Sequence, residues 1–242
     1  WLLPGLGPMD QALANPAETA PPSPLAPLVI ADGDKRVALA GHLAWLDDPT
    51  RELPLEAALD AWQRGDFQSL PGALNRGYTT AASWLHLTVA STQASGHPLM
   101  LKLRPQFLDY VDLYVQQGAD PTDPASYRHA RLGDRIPLTA RSEHGARMAV
   151  ILPAQPLPRL QIFIRIQTSS THVLDGAVMT HIQFLETSTR ATMLHGAYVA
   201  IALVLALVNI LLASHLRDPV YAYYAAYLCA LGVGYAAIEG LS

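Results

Sequence analysis

The chain has 242 residues, 50% of them hydrophobic and 15% charged, with a net charge of -4 at neutral pH and a mean hydropathy of +0.18. That balance offers no basic surface for nucleic acid, and a single cysteine, Cys229, excludes an internal disulfide framework and a Cys-based zinc site. Of all the Asp, Glu, Lys and Arg side chains only Arg217, Asp218 and Glu239 lie beyond residue 190, so the average joins a water-soluble part to a very apolar one.

Trp1 to Gly7 followed by Ala12-Leu13-Ala14 resembles the end of a signal peptide, an apolar remnant ahead of an Ala-x-Ala cleavage site, which predicts export. The alternative is an Ala/Pro leader. Asn15 to Pro27 is rich in proline and lacks apolar periodicity, as a linker does. Residues 1–27 are thus set apart from the folded part.

From Leu28 to about Leu185 the chain reads as short runs of period two. Leu160, Ile162, Ile164 and Ile166 alternate with Gln161, Phe163, Arg165 and Gln167, a strand with one apolar face. A similar alternation runs from Arg36 to Trp45. Further strands are expected at Ser83–Ala90, Leu99–Leu103, Leu108–Gln116, Arg147–Leu152 and Val178–Leu185, separated by Gly, Pro, Asp and Ser clusters. This spacing predicts a mainly β fold, an antiparallel, jelly-roll-like β-sandwich of seven to nine strands over residues 28–187. One helix interrupts it at Leu55–Trp62, where Pro54 suits the helix start and Leu55, Leu59 and Trp62 share a face.

Thr187 to Arg190 forms a polar collar, and Thr192 to Ser214 then runs without a charge. Crossing ~30 Å of hydrocarbon takes roughly 20 helical residues, so this run predicts a membrane span. His215 to Pro219 makes a tight connection into a second uncharged run, Val220 to Ile238, and residues 191–242 read as a transmembrane helical hairpin. Ala222, Ala226, Ala230 and Gly234 recur every four residues, a row that either lets a neighbouring helix approach closely or reflects the abundance of Ala. Asn209 is the strong hydrogen-bonding side chain in mid-span and is expected to tie its helix to another. An exported N-terminal part places the connection at Arg217 in the cytoplasm, in weak agreement with the positive-inside rule.

Several stretches together carry a resemblance. Gly77 to Leu87, Leu108 to Val115, Gly133-Asp134-Arg135-Ile136-Pro137-Leu138 with Arg141, and Ile162 to Thr168 are similar to the larger extracytoplasmic sensor domain of the bacterial seven-transmembrane receptors with diverse intracellular signalling modules. His195 to Tyr198, Leu216 to Tyr224 and Glu239-Gly240-Leu241 resemble the start of the seven-helix module of the same family. The resemblance implies a jelly-roll sensor akin to carbohydrate-binding modules, in the periplasm of the inner membrane, and then seven helices and a cytoplasmic output domain such as a diguanylate cyclase or histidine kinase. Residues 191–242 correspond to the first two of those helices.

Signatures of catalysis are missing: no His-Glu-x-x-His, Gly-x-Ser-x-Gly, phosphate loop or Gly-x-Gly-x-x-Gly occurs, and no two of the nine histidines stand at helical metal-site spacing. The expectation is a non-enzymatic domain without metal or cofactor. For binding, Tyr110, Asp112 and Tyr114 share the polar face of their strand, which either stacks on a sugar or packs under a loop or helix. Trp84 is either a groove residue or second-layer core. Arg128, Arg131, Arg135, Arg141 and Arg147, with Asp134 among them, would bind an anionic ligand, pair internally, or meet lipid head groups. The candidate ligand contacts are therefore Trp84, Tyr110, Asp112, Tyr114, Arg131, Asp134 and Arg141. The expected partners are a small molecule, a saccharide included, the lipid bilayer, and a second copy or partner receptor; nucleic acid is not among them. The competing reading is a membrane-tethered protein-protein interaction module.

Overall fold

In a computed structural model, which describes residues 25–92, 98–137, 148–153 and 159–238, twelve strands and three α-helices are found. The segments 1–24, 138–147 and 239–242, which include the expected cleavage site, Arg141 and the last quoted motif, lie outside the described residues.

The strands β1 (Leu28–Ile30), β3 (Leu43–Asp48), β4 (Gln68–Leu70), β6 (Ala82–Ser91), β8 (Tyr110–Gln116), β9 (Tyr127–Leu132) and β11 (Leu160–Gln167) form one sheet in the order β4-β3-β6-β11-β8-β9. β1 pairs in parallel with the far end of β6; every other pairing among the described residues is antiparallel. The second sheet holds β10 (Ala149–Ile151), β7 (Leu99–Arg104), β12 (Thr171–Thr180) and β2 (Arg36–Ala38) in that order, with β5 (Leu74–Tyr78) beside the start of β12. Leu85, Leu87, Leu113, Ile162 and Ile164 of the first sheet meet Leu101, Leu103, Leu174 and Val178 of the second in one buried core. The alternation fixes this: on β11 the isoleucines turn inward while Gln161, Phe163, Arg165 and Gln167 turn outward.

The outward face of the first sheet is not left to solvent. Helix α1 (Leu55–Arg64), ended by Gly65 at φ 79, lays Leu55, Ala58 and Leu59 over Ala44, Trp84 and Phe163, making a second apolar layer. Trp84 is 0% exposed. Its assignment as a ligand contact is therefore corrected to core.

The run Arg36–Trp45 is two strands in different sheets, broken at Gly41 with φ 83. The strand expected at Val178–Leu185 ends at Thr180, whose side chain accepts the Gln183 N–H and caps helix α2 (His181–Leu216). The polar collar is therefore helical. Phe184 plugs onto Met100, Ala149, Ala177 and Met179 on the outer face of the second sheet, and the His181 N–H donates to Pro98 O at 3.0 Å.

Among the described residues α2 is the one helix long and apolar enough to cross a membrane. Arg217, at φ 54, ends it, Asp218 accepts the Val220 N–H, and α3 (Pro219–Ile238) packs back along α2. Beyond residue 190, Ala206 and Ala225 are the buried residues among those described. Ala222, Ala226, Ala230 and Gly234 are exposed, so the small-residue row faces away from α2. Asn209 donates from Nδ2 to Leu205 O of its own helix at 2.8 Å.

Candidate functional site

Strand direction places the site. β12 runs toward α2, so the β11–β12 turn at Thr168–Ser170 lies at the end of the sandwich far from the apolar helix. The loops gathered at that tip enclose a polar cleft of about 730 Å³ lined by Arg51, Tyr78, Thr79, Thr80, Asp109, Tyr110, Arg135, Gln167, Thr168 and Ser169.

Each wall has a local cause. Asp48, at the end of β3, accepts the Thr50 hydroxyl and the N–H groups of Arg51 and Leu53, at 2.7, 2.9 and 3.1 Å, and so folds the loop that carries Arg51. Arg51 sits at φ 60 and donates its Nε–H to Thr80 O, joining this loop to the β5–β6 turn. Arg165 donates to Arg51 O at 2.5 Å from below. Gly133, at φ 126, lies so close to the neighbouring strand that a Cβ there would meet Asp109 O at 2.3 Å. The same close approach lets the N–H groups of Asp134 and Arg135 donate to Leu108 O and Asp109 O, at 2.9 and 3.3 Å, and brings the Arg135 guanidinium 3.3 Å from the Asp109 carboxylate.

Asp109 also accepts the backbone N–H and the Oγ–H of Ser169, at 2.6 and 2.7 Å. Burial opposes its charge, but the Ser169 hydrogen bonds and the Arg135 cation outweigh it and hold the carboxyl below the usual range. Beneath the turn, His172 is buried between Ser83 Oγ, 3.4 Å from Nδ1, and Thr168 O, 3.3 Å from Nε2. Burial lowers its pKa, with the Thr168 carbonyl pulling the other way, so the ring is neutral and donates Nε2–H to Thr168.

The cleft is lined by charged, hydroxyl and aromatic side chains. It presents Arg51 and Arg135 against one already engaged carboxylate, hydroxyls from Thr79, Thr80, Thr168 and Ser169, and the exposed rings of Tyr78 and Tyr110. Among the described residues no three His, Cys, Asp or Glu side chains gather as a metal would need.

A family model described as 7TMR-DISM extracellular 2 matches residues 40–180 of the chain, more than half its length. The chain belongs to this family. The 7TMR-DISM domain here precedes a helix able to cross a membrane, so the protein is the sensor part of a membrane receptor, with its N-terminal domain outside. No curated protein matches it. Among solved structures it is similar to a crystal structure of Ruminococcus gnavus beta-glucuronidase in complex with uronic isofagomine, at 11% identity and a TM-score of 0.34, over 65% of this chain and 30% of that one.

The expected contacts of the 7TMR-DISM domain fall in three places. Tyr110 lines the cleft, 42% exposed. Asp112, Tyr114 and Arg131 come together beside it on the outer sheet face, but there they engage one another and their neighbours. Asp112 takes His129 Nε2 at 2.7 Å, with Arg131 and Arg165 each at 3.7 Å. Burial again opposes the charge and is outweighed, first by His129 and then by the two guanidinium groups, so Asp112 too stays ionised below the usual range. Tyr114 stacks between Trp84 and His129, with centroids 5.7 and 4.6 Å away. Asp134 is exposed beside the tip, where its backbone closes the Leu108 turn. Of the arginine run, Arg128 bonds Ile151 O, Arg131 pairs with Asp112 and Arg135 with Asp109, which is the internal pairing weighed above.

Arg51, Tyr78, Asp109, Arg135, Gln167 and Ser169 line the cleft but are not among the expected contacts. Tyr78 and Gln167 lie within stretches quoted for the family resemblance, but only the fold shows that these stretches end at one tip. A smaller hollow of about 370 Å³ beside α1 is lined by Trp62, Phe67, Tyr127 and Gln161 among others; behind two of these His86, neutral through burial with a pKa of about 4, stacks on Trp62 and bonds Gln161.

Proposed function

We propose that this chain is the sensory front of a bacterial inner-membrane receptor whose tip cleft binds a small, polar, carboxylate-bearing ligand, a sugar acid being the best chemical fit. Two guanidinium groups suit a carboxylate, the hydroxyl-rich rim suits sugar hydroxyls, and Tyr78 and Tyr110 suit a ring face. The observation that carries the reading is continuity. The turn Thr168–Ser170 borders the cleft, and the same strand, β12, runs without interruption into α2. A ligand that tightens the turn biases that strand and with it the helix, toward a cytoplasmic output such as a diguanylate cyclase or histidine kinase.

The test is a thermal-shift series on the detergent-solubilised chain with sugar acids, neutral sugars and simple organic acids. A ligand at 100 times its Kd stabilises by about 2.7 kcal/mol. Sugar acids are expected to raise Tm in the wild type and not in Arg135→Gln or Tyr110→Ala; a flat response to every ligand would sink the reading.

A second reading, an interaction module for another protein or a second copy, is favoured by one observation. Tyr78, Phe107 and Tyr110 stand at the tip 82%, 48% and 42% exposed. Concentration-dependent association that is lost in Tyr78→Ser, with no ligand response, would support it instead.

A further inference from the structure

The outer face of the second sheet carries a basic trio that the ligand reading leaves unused. Arg36 of β2 and Lys102 and Arg104 of β7 converge on a hollow of about 70 Å³, completed by Ala177, Met179 and Thr187. The register causes this. Arg36 lies opposite Met179, Lys102 opposite Ala177 and Arg104 opposite Asp175, on the face over which α2 begins. One carboxylate belongs to the group: Asp175 pairs with Arg104 at 2.8 Å. Lys102 Nζ lies 5.8 Å from the centre of the Phe184 ring, so its charge is held against the start of α2.

Depth gives the hollow its meaning. Thr187 precedes Met193, inside the uncharged run, by about 9 Å of helix rise. A bilayer has ~30 Å of hydrocarbon and ~40–45 Å in all, so each headgroup layer is about 5–7 Å thick. With Met193 near the hydrocarbon edge, the trio stands at or just outside the headgroups. A small hollow lined by three cations suits a compact anion such as a phosphate group.

We propose that Arg36, Lys102 and Arg104 seat the phosphate of an anionic phospholipid in the outer leaflet of the membrane that α2 crosses. The proposal rests on the reading of α2 as a membrane span. The lipid phosphate bridges β2 and β7 across β12, the strand that continues into α2, so lipid charge acts on the same strand as the tip cleft but from its opposite end.

Native mass spectrometry of the detergent-extracted chain, incubated with phosphatidylglycerol or phosphatidylcholine, tests the seat. The wild type is expected to retain phosphatidylglycerol in preference to phosphatidylcholine. Retention should fall several-fold in R36Q and about tenfold or more in R36Q/K102Q/R104Q, and stay unchanged in R64Q, which removes a cation on α1. Equal retention of both lipids, or equal phosphatidylglycerol retention in the wild type and the triple variant, would overturn it. So would full competition by glycerol phosphate, which would make the ligand a soluble phosphate. Flotation of the wild type with liposomes separates the premise from the proposal: a chain that does not float refutes the span, whereas one that floats without lipid preference refutes the seat alone.

Discussion

Asp109 and Ser169 are joined twice at the tip, the carboxylate accepting both the backbone N–H and the hydroxyl of the serine, at 2.6 and 2.7 Å. This clamp ties the start of β8 to the turn that feeds β12. Asp109→Ala leaves the Ser169 N–H and the Arg135 guanidinium without their acceptor and is expected to cost on the order of 1–3 kcal/mol, read as a lower midpoint in urea. Because the folded Asp109 pKa is depressed, its contribution is complete above the unfolded carboxyl value and is lost as pH falls below about 4. The variant should therefore show a shallower acid transition than the wild type.

Gly133 makes the other side of that clamp. Gly133→Ala puts a Cβ 2.3 Å from Asp109 O at a φ of 126. Strain and overpacking together predict a loss of about 3 kcal/mol or more. Gly72→Ala, where a Cβ meets nothing within 4 Å, is the matched control and should be within ~0.5 kcal/mol of wild type. Equal melting of the two variants would contradict this account of the Gly-Asp-Arg turn.

His86 is buried and neutral, with its pKa lowered from 6.5 to about 4 by burial, the Gln161 hydrogen bond offsetting part of this. A histidine whose folded pKa is depressed binds its proton more readily in the unfolded chain. Stability is therefore full above about pH 6.5 and declines as pH falls toward 4, by up to about 3 kcal/mol. His172 acts in the same direction. Melting at pH 7.5 and pH 5 should show the loss in the wild type and a smaller loss in His86→Gln; an identical slope in the two proteins would remove His86 as the cause.

Trp84 and Tyr110 should separate cleanly. Trp84→Ala empties the layer under α1 and is expected to cost roughly 3–5 kcal/mol, as large aromatic truncations do. Tyr110→Ala, at an exposed edge, should change stability by about 0.5 kcal/mol or less while weakening ligand binding. Paired urea melts and ligand titrations of the two variants check this.

The two periodicities carried most of the architecture. β11 was legible because its isoleucines alternate without a break, and α2 because its uncharged apolar run reaches the length that a bilayer core needs. Three features were hidden. At Val178–Leu185, the spacing of Val178, Thr180 and Ile182 imitates a strand, while the residues that decide are Thr180 as cap and Phe184 and Ser188 on one helical face. Trp84 stayed open between groove and core, and Phe163 fell on the polar face of its strand, because a sequence does not show which sheet face a distant helix will cover. Strand alternation put Tyr110 on the polar face, yet its neighbours in the cleft come from five separate loops and turns, a proximity that local pattern does not encode.

Helix α2 runs as one piece from the end of β12 to Arg217, roughly 54 Å of rod where the bilayer core needs only ~30 Å. No swivel separates the sandwich from the span. The azimuth of the tip cleft around the membrane normal is therefore set by residue count, each residue added between Thr180 and the bilayer turning the sandwich by about 100°. Two copies packed through their spans would hold their clefts at one mutual bearing, and a one-residue insertion near Arg190 would re-aim them.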